Sequence, residues 1–362
     1  MLRHAVPLSV LDLAPVPGGA DAAEALRRST DLARRVEEWG YRRHWVAEHH
    51  NMPGIASSSP AVLIAHLAAA TSTIRVGSGG VMLPNHVPLV VAEQFGMLAA
   101  LHPGRIDLGI GRAPGTDQAT AAALRRRADG LGDDDFLQEL AQLVGLLHGA
   151  ALESTSAASA TSGSGQPGAR ITRGEVRAHP AAPQPPDVWL LGSSGYSAQV
   201  AALLGMPFAF AHHFAPHQTL TAIELYRNGF RPSARLEAPY LMLGAAVVCA
   251  PSEEEARWWH GSSALSMLRL RTGRPGPLPS PEEAASHPYS ADERRVVDAA
   301  TSSHVVGNPE AVAARLDELV TATGADELVV TTNVHDHAAR LRSYELLAGM
   351  SAPATTGARS TQ

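Results

Sequence analysis

The sequence predicts an α/β fold, a (β/α)8 TIM barrel with insertions in its loops, on three observations. Eight short apolar runs each precede a segment with helical signals. The chain has 362 residues, within the range of one such barrel. Hydrophobic residues make up 45% of it against 18% charged, enough to fill a large core. An open doubly wound sheet is the competing architecture, and count and length favour the barrel.

The candidate strands are 6–13, 44–48, 74–81, 106–110, 188–191, 208–211, 240–248 and 327–332. The first lies in "MLRHAVPLSVLDLAP", which resembles a secretion signal only superficially: the apolar run is short, contains Pro7 and meets Asp12. The helix after it is "DAAEALRRSTDLARRVEEWG". Asp21 can cap its start with Glu24 three residues on. Leu26, Leu32, Ala33, Val36 and Trp39 share one face, and Gly40 stops it. Ser252 with Glu255 repeats the capping pattern, and Asn308 with Pro309 opens "PEAVAARLDELVTATG". Residues 150–185 read as an insertion whose first part, rich in Ala, Ser, Thr and Gly, is expected to be flexible. Residues 273–289 form a Pro-rich excursion, and 351–362 read as a disordered tail on a single domain spanning 1–350.

Composition excludes several classes. Lys plus Arg total 29 against 35 Asp plus Glu, a formal charge of −6 with no basic stripe, so nucleic acid is a poor partner. Cys249 is the one cysteine, which rules out an internal disulfide and a cysteine-based metal cluster and fits a reducing cytoplasm. No stretch approaches the ~18 apolar residues of a membrane helix.

In such a barrel chemistry sits at the C-terminal ends of the strands. Read in order, those ends carry Asp12, then Glu48-His49-His50, then Gly77-Ser78-Gly79-Gly80, then Gly111-Arg112. Later ends carry Gly192-Ser193-Ser194, His212-His213 and Thr331-Thr332-Asn333. Each has a plainer reading. A strand-end histidine is more often structural than catalytic. Glu48 could neutralise Arg105 or Arg112. His212 and His213 could merely line the mouth. Gly79-Gly80 could only turn the chain, and Ser193 or Ser194 could only cap a helix.

"GIGRAPG", 109–115, misses the dinucleotide fingerprint: its spacing is G-x-G-x-x-x-G, Pro114 interrupts it and no helix opens there. Arg112 remains a fork for phosphate or carboxylate. "LLGSSGYSAQVAALLG", 190–205, runs from strand through Gly and two serines into a helix, an arrangement that aims N–H groups and hydroxyls at an anion.

Taken together, "WVAEHH", "IRVGSGGVMLPNHVPLVVAEQFGMLAALHPGRIDLGIGRAPGTD", "LGSSGYSAQVAALLG" and "GNPEAVAARLDELVTATGADELVVTT" resemble the bacterial luciferase-like superfamily of flavin-dependent monooxygenases, from about Pro7 to about Leu347. The resemblance implies a barrel that binds reduced FMN, or in some branches the deazaflavin F420. It implies a small organic substrate oxygenated by O2 through a C4a-peroxyflavin, with reduced FMN supplied by a separate flavin reductase. A homodimer is a family-level expectation. By position, His49 matches the catalytic histidine, with His50 beside it and Glu48 completing the acid-histidine-histidine motif. Gly79-Gly80 match a place where the family often has a non-proline cis peptide against the flavin ring. Arg112 matches the phosphate-contacting arginine, Ser193 and Ser194 the second phosphate element, and Asp12 is a further cofactor-binding candidate. Where luciferases carry a reactive cysteine before that arginine, this chain has Gly111, so light emission is not implied.

The alternatives are an F420- or FMN-dependent oxidoreductase without oxygenation, a non-catalytic flavin-binding barrel, and a metal-dependent hydrolase. The last wants His-x-His after the first strand, where the chain reads "LDLAP"; no metal is expected.

Overall fold

The computed structural model describes residues 6–113, 116–124, 133–161 and 167–350. The chain runs β1 (Leu8–Asp12), α1 (Ala22–Glu38), β2 (Arg43–Val46), α2 (Pro60–Ala70), β3 (Arg75–Met82), α3 (Pro88–Leu101) and β4 (Ile106–Gly111). It continues with α4 (Gln118–Ala123), α5 (Asp133–Leu147), β5 (Leu152–Thr161), β6 (Pro167–Val176), β7 (Asp187–Gly192), α6 (Gly195–Leu203), β8 (Phe208–Phe210) and α7 (Thr219–Gly229). The last part holds β9 (Leu241–Cys249), α8 (Glu253–Arg271), α9 (Pro281–Ser286), α10 (Ala291–Thr301), β10 (Val305–Gly307), α11 (Pro309–Thr323), β11 (Glu327–Thr331) and α12 (His337–Ala348).

Eight parallel strands close into a TIM barrel in the order β9-β11-β1-β2-β3-β4-β7-β8, with β8 pairing back to β9. All eight expected strands are present. β10 is an extra, three-residue strand that the apolar pattern did not announce; it adds to β9 in parallel register, Val305 opposite Val247. The expected flexible insertion is corrected in part. Its backbone forms an antiparallel hairpin, β5 with β6, from Leu152 opposite Val176 to Thr161 opposite Pro167. The expected tail, 351–362, lies outside the described residues.

The caps follow the sequence. Asp21 accepts from the Glu24 N–H at 2.8 Å, Ser252 accepts from Glu255 and Asn308 from Ala311. Gly40 and Gly324 end or follow their helices at φ +80° and +59°, where a side chain would be strained. On α1 the expected face buries Leu32, Ala33 and Val36, but Leu26 is exposed.

Two cores hold the barrel. The larger packs strands against helices; Val10, Leu32, Phe95, Ile110 and Tyr344 are within it. The smaller takes one residue from each of five strands, Trp45, Trp189, Ala209, Met242 and Val329, as the layer filling the interior. Beneath it, at the N-terminal ends, a charged network plugs the barrel. Arg43 is 2.8 Å from Asp107 and 3.0 Å from Glu327, and Arg75 bridges Asp107 and Asp187. Ser9 and Tyr240 donate to Glu327 and Trp45 donates to Asp107, so these buried carboxylates are well paired. The plug leaves the C-terminal mouth as the open end.

Candidate active site

The strand ends and the loops that follow them enclose a cavity of about 430 Å³ at that mouth. Its walls are mainly apolar, with Leu11, Trp45, Met82, Leu191, Phe210 and Val329 among them. The rim is stitched together by backbone bonds. Val16 donates to Gly54 at 2.9 Å, and Leu278, from the Pro-rich excursion, donates to Val16 at 2.8 Å. Gly54 is needed there, since a Cβ would meet the Gly276 carbonyl oxygen at 2.2 Å.

Five of the expected site residues line this one cavity: His49, Gly79, Arg112, Ser193 and Ser194. They come from β2, β3, β4 and the turn between β7 and α6. The His49 backbone N–H is fixed to the Ser57 carbonyl at 3.0 Å. Its Nδ1 is buried without a hydrogen-bond partner. Burial pushes the imidazole below its ordinary pKa, against the charge of Glu48, so His49 is neutral at pH 7. Gly79 joins Gly80 through a cis peptide bond, as the motif led one to expect. A Cβ on Gly79 would meet Leu11 Cδ1 at 2.7 Å and Trp45 Cε3 at 3.2 Å, so the backbone here borders the cavity only without a side chain.

The Arg112 guanidinium lies 4.2 Å from the centroid of the Tyr196 ring, which holds it beside the first turn of α6. Ser194 holds the N-cap position of α6, but its hydroxyl makes no capping bond. The plain capping reading therefore fails for Ser194. The α6 N-terminus, two serine hydroxyls and a guanidinium converge on one end of the cavity, a combination suited to an anion.

The other expected residues lie outside the lining. Glu48 is fully buried and turned away from the cavity. It accepts from His50 at 2.9 Å, His86 at 2.9 Å, Asn85 at 3.1 Å and the Met82 N–H at 3.1 Å. Burial alone would raise its pKa; the bonds and charge of His86, the His50 bond and the Met82 N–H outweigh that and hold it below the ordinary range. Its partners are thus not Arg105 or Arg112. It ties the β2 end to the residues after β3 and so positions His49. His50 spends Nε2 on that same carboxylate and does not line the cavity; its place is positional, which corrects the expectation of a catalytic group. Gly80 is set behind Gly79, where a Cβ would meet the Gly109 carbonyl oxygen at 2.7 Å.

Asp12 is corrected as well. It is fully buried and bonded to Arg340 at 2.7 Å, Ser29 at 2.5 Å and the Ala14 N–H at 2.8 Å. Burial opposes its charge, but Arg340 and His44 hold it far below the carboxylate range. An aspartate so paired locks α12 onto β1 rather than meeting a ligand.

Of the two histidines whose plainer reading was to line the mouth, His213 is buried in the cavity wall, whereas His212 turns to Thr219 at 2.8 Å. Sequence reasoning missed other residues of the site. Tyr196, which meets Arg112 without lining the cavity, lay inside "LLGSSGYSAQVAALLG" and had no role assigned to it. His260 and His304 also line the cavity. His260 lies mid-helix in "RWWHGSS", and His304 precedes the unannounced β10; no local pattern pairs them. Among the described residues no cluster of three or more His, Cys, Asp or Glu side chains could hold a metal ion.

The geometry can be set beside known proteins. A family profile described as luciferase-like monooxygenase matches residues 6–327. The chain belongs to the luciferase-like monooxygenase family. A luciferase-like monooxygenase of Escherichia coli (strain K12) is 46% identical over 346 residues, covering 96% of this chain and 97% of that one. The solved structure of apo-MsnO8 is 38% identical, with TM-score 0.80 over 95% of this chain and 98% of that one. The fold is also that of the oxygenating constituent of 3,6-diketocamphane monooxygenase of Pseudomonas putida, solved with FMN: TM-score 0.70, 19% identity, 96% and 98% coverage. Membership in a luciferase-like monooxygenase family supports an enzyme that uses a small-molecule substrate and O2. No described helix is long and apolar enough to cross a membrane.

Proposed function

We propose that the protein is an FMN-dependent monooxygenase that receives reduced FMN from a separate flavin reductase and oxygenates a small organic substrate. The observation that carries this reading is one cavity holding an anion-suited end and a neutral histidine. Arg112, Ser193 and Ser194 supply the first, and His49 with its unpartnered Nδ1 supplies the second. The residues fit a flavin. Thr331 Oγ1 and Asn333 Oδ1 are buried polar atoms of the lining that, like His49 Nδ1, have no protein partner, as expected of groups meant for a ligand. The apolar remainder suits a planar ring system.

Bound reduced FMN would supply the electrons that activate O2. The chain supplies the rest. Arg112, packed against Tyr196, and the α6 N-terminus would hold the phosphate. Gly79 lets the backbone approach the ring without a Cβ between. His49, neutral and desolvated, is placed to accept or return a proton at an imidazole nitrogen. The apolar walls and the stitched rim would leave bulk water less room around a bound ring.

An anaerobic titration with reduced FMN, followed by oxygen, tests this. Tight binding, and on oxygenation a transient absorbance unlike reduced or oxidised FMN, is the expected result. Failure to bind FMN while binding F420 would replace it with the deazaflavin reading. Binding with immediate uncoupled reoxidation under every substrate tried would favour an oxidoreductase without oxygenation.

A further inference from the structure

One wall of the cavity has no part in the reading above. It is built by α8 and β10, and it presents a pair of histidines, His260 from the helix and His304 from the residue before the strand. His260 Nε2 and His304 Nδ1 are 2.9 Å apart, and the two rings meet nearly edge to face at 84°. His213 belongs to the same group: the Ser303 hydroxyl donates to the His213 carbonyl oxygen at 3.4 Å, and His213 is close enough to depress His304 electrostatically. Burial pushes His260 down to about 4, and pushes His304, helped by His260 and His213, down to about 3. All of this wall is therefore uncharged at neutral pH.

Two neutral imidazoles that share one hydrogen bond have complementary ends. If His260 donates, His304 Nε2 carries the other proton and His260 Nδ1 is an acceptor. If His304 donates, both outer roles reverse. The pair can thus face a donor or an acceptor without charge separation. The rest of the lining adds a second constraint. Among the described residues no Asp or Glu lines the cavity, and Arg112 is the one Lys or Arg that does. Among these described residues an ammonium group would find no counter-charge, and a carboxylate would find only the cation assigned to phosphate. Burying either charge unpaired is costly. Around the pair the wall is apolar, with Met267, Leu270, Val306 and Phe214.

We propose that the His260–His304 pair is the polar anchor of a substrate compartment and selects a small, uncharged, largely apolar substrate with one hydroxyl or carbonyl group. This rests on the reading of the cavity as an FMN-dependent monooxygenase site, with Arg112 occupied by the cofactor. His260 and His304 are specificity-determining residues in that account.

The test uses benzyl alcohol, benzoate and benzylamine, which share a ring and differ in charge. Binding to the parent protein, His304→Leu and His304→Gln is measured by saturation-transfer NMR with FMN in excess, so that benzoate cannot take the Arg112 end, and FMN affinity of each is measured separately by fluorescence quenching. The parent should bind benzyl alcohol about 10-fold or more tighter than either charged analogue, because the charged forms lose hydration without a partner. His304→Leu should lose about 10-fold in benzyl alcohol affinity. His304→Gln, whose amide both donates and accepts, should keep most of it, and both variants should bind FMN as the parent does. Equal binding of a charged analogue, or no loss in His304→Leu, overturns the proposal. So does a parallel loss of FMN affinity in both variants, which would put the pair in the cofactor site. A parent that shows the expected pattern but binds no FMN would uphold the anchor and remove the cofactor reading.

Discussion

Replacing Glu48 by Gln keeps the shape of the side chain and removes its charge. In the parent this buried carboxylate accepts four hydrogen bonds, from His50, His86, Asn85 and the Met82 N–H. The amide oxygen can keep some of them, but the amide NH2 faces donors. At least one charge-assisted bond is lost and one donor is left opposed, which costs about 3 kcal/mol. An unfolding entropy of about 2.1 cal/mol/K per residue places about 0.8 kcal/mol on each degree for a chain of this length, so the melting temperature should fall by about 4 °C. The pH dependence has a definite sign. The folded-state pKa of Glu48 is depressed, so its contribution is complete above the ordinary glutamate value of about 4.3 and is lost as pH falls through the folded value. The gap between parent and variant should be full at pH 7 and narrow in acid. Thermal melts at pH 7 and in the acid range measure it. A variant that melts within 1 °C of the parent at pH 7, about a quarter of the expected loss or less, would refute the view of Glu48 as the tie between β2 and β3.

Other perturbations separate cofactor binding from folding. Arg112→Ala should weaken FMN binding by about 1.5–3 kcal/mol, roughly 10- to 150-fold in Kd, with little change in melting temperature; calorimetric titration reads it. Gly77→Ala should destabilise the barrel more than Gly79→Ala, because its Cβ would meet the Asp107 carbonyl oxygen at 2.5 Å, which is backbone and cannot yield. The Gly79 Cβ would instead meet the mobile end of Leu11, so that variant should fold and lose FMN affinity; denaturation and FMN titration together distinguish the two. Arg43→Met should cost about 3–5 kcal/mol, since it strips a cation from the buried Asp107 and Glu327, and urea denaturation would show it.

Much of the barrel was legible because strand and helix periods differ and because caps carry fixed chemistry. Asp21, Gly40 and Asn308 each mark a boundary that the structure keeps. β10 was not legible: three residues, "VVG", are too few to show a period. The hairpin of β5 and β6 was not legible either, because small polar residues in pairing strands look like a linker. At the site, His49, Arg112 and Ser194 could be read because strand ends in a barrel converge. Asp12 shares that position yet turns to Arg340, a residue 328 positions away that no local pattern links to it. The His260–His304 contact spans 44 residues and two elements, and only packing reveals it.

Under the proposed function Arg112, the α6 N-terminus and His49 serve one bound FMN. Anaerobic titration of the parent, Arg112→Ala and His49→Ala with reduced FMN, followed by oxygen, tests it most directly. The account predicts tight binding by the parent, weakened binding by Arg112→Ala, and unchanged binding but altered reaction with oxygen in His49→Ala. Equal FMN affinity in the parent and Arg112→Ala, or no binding by the parent, would contradict it.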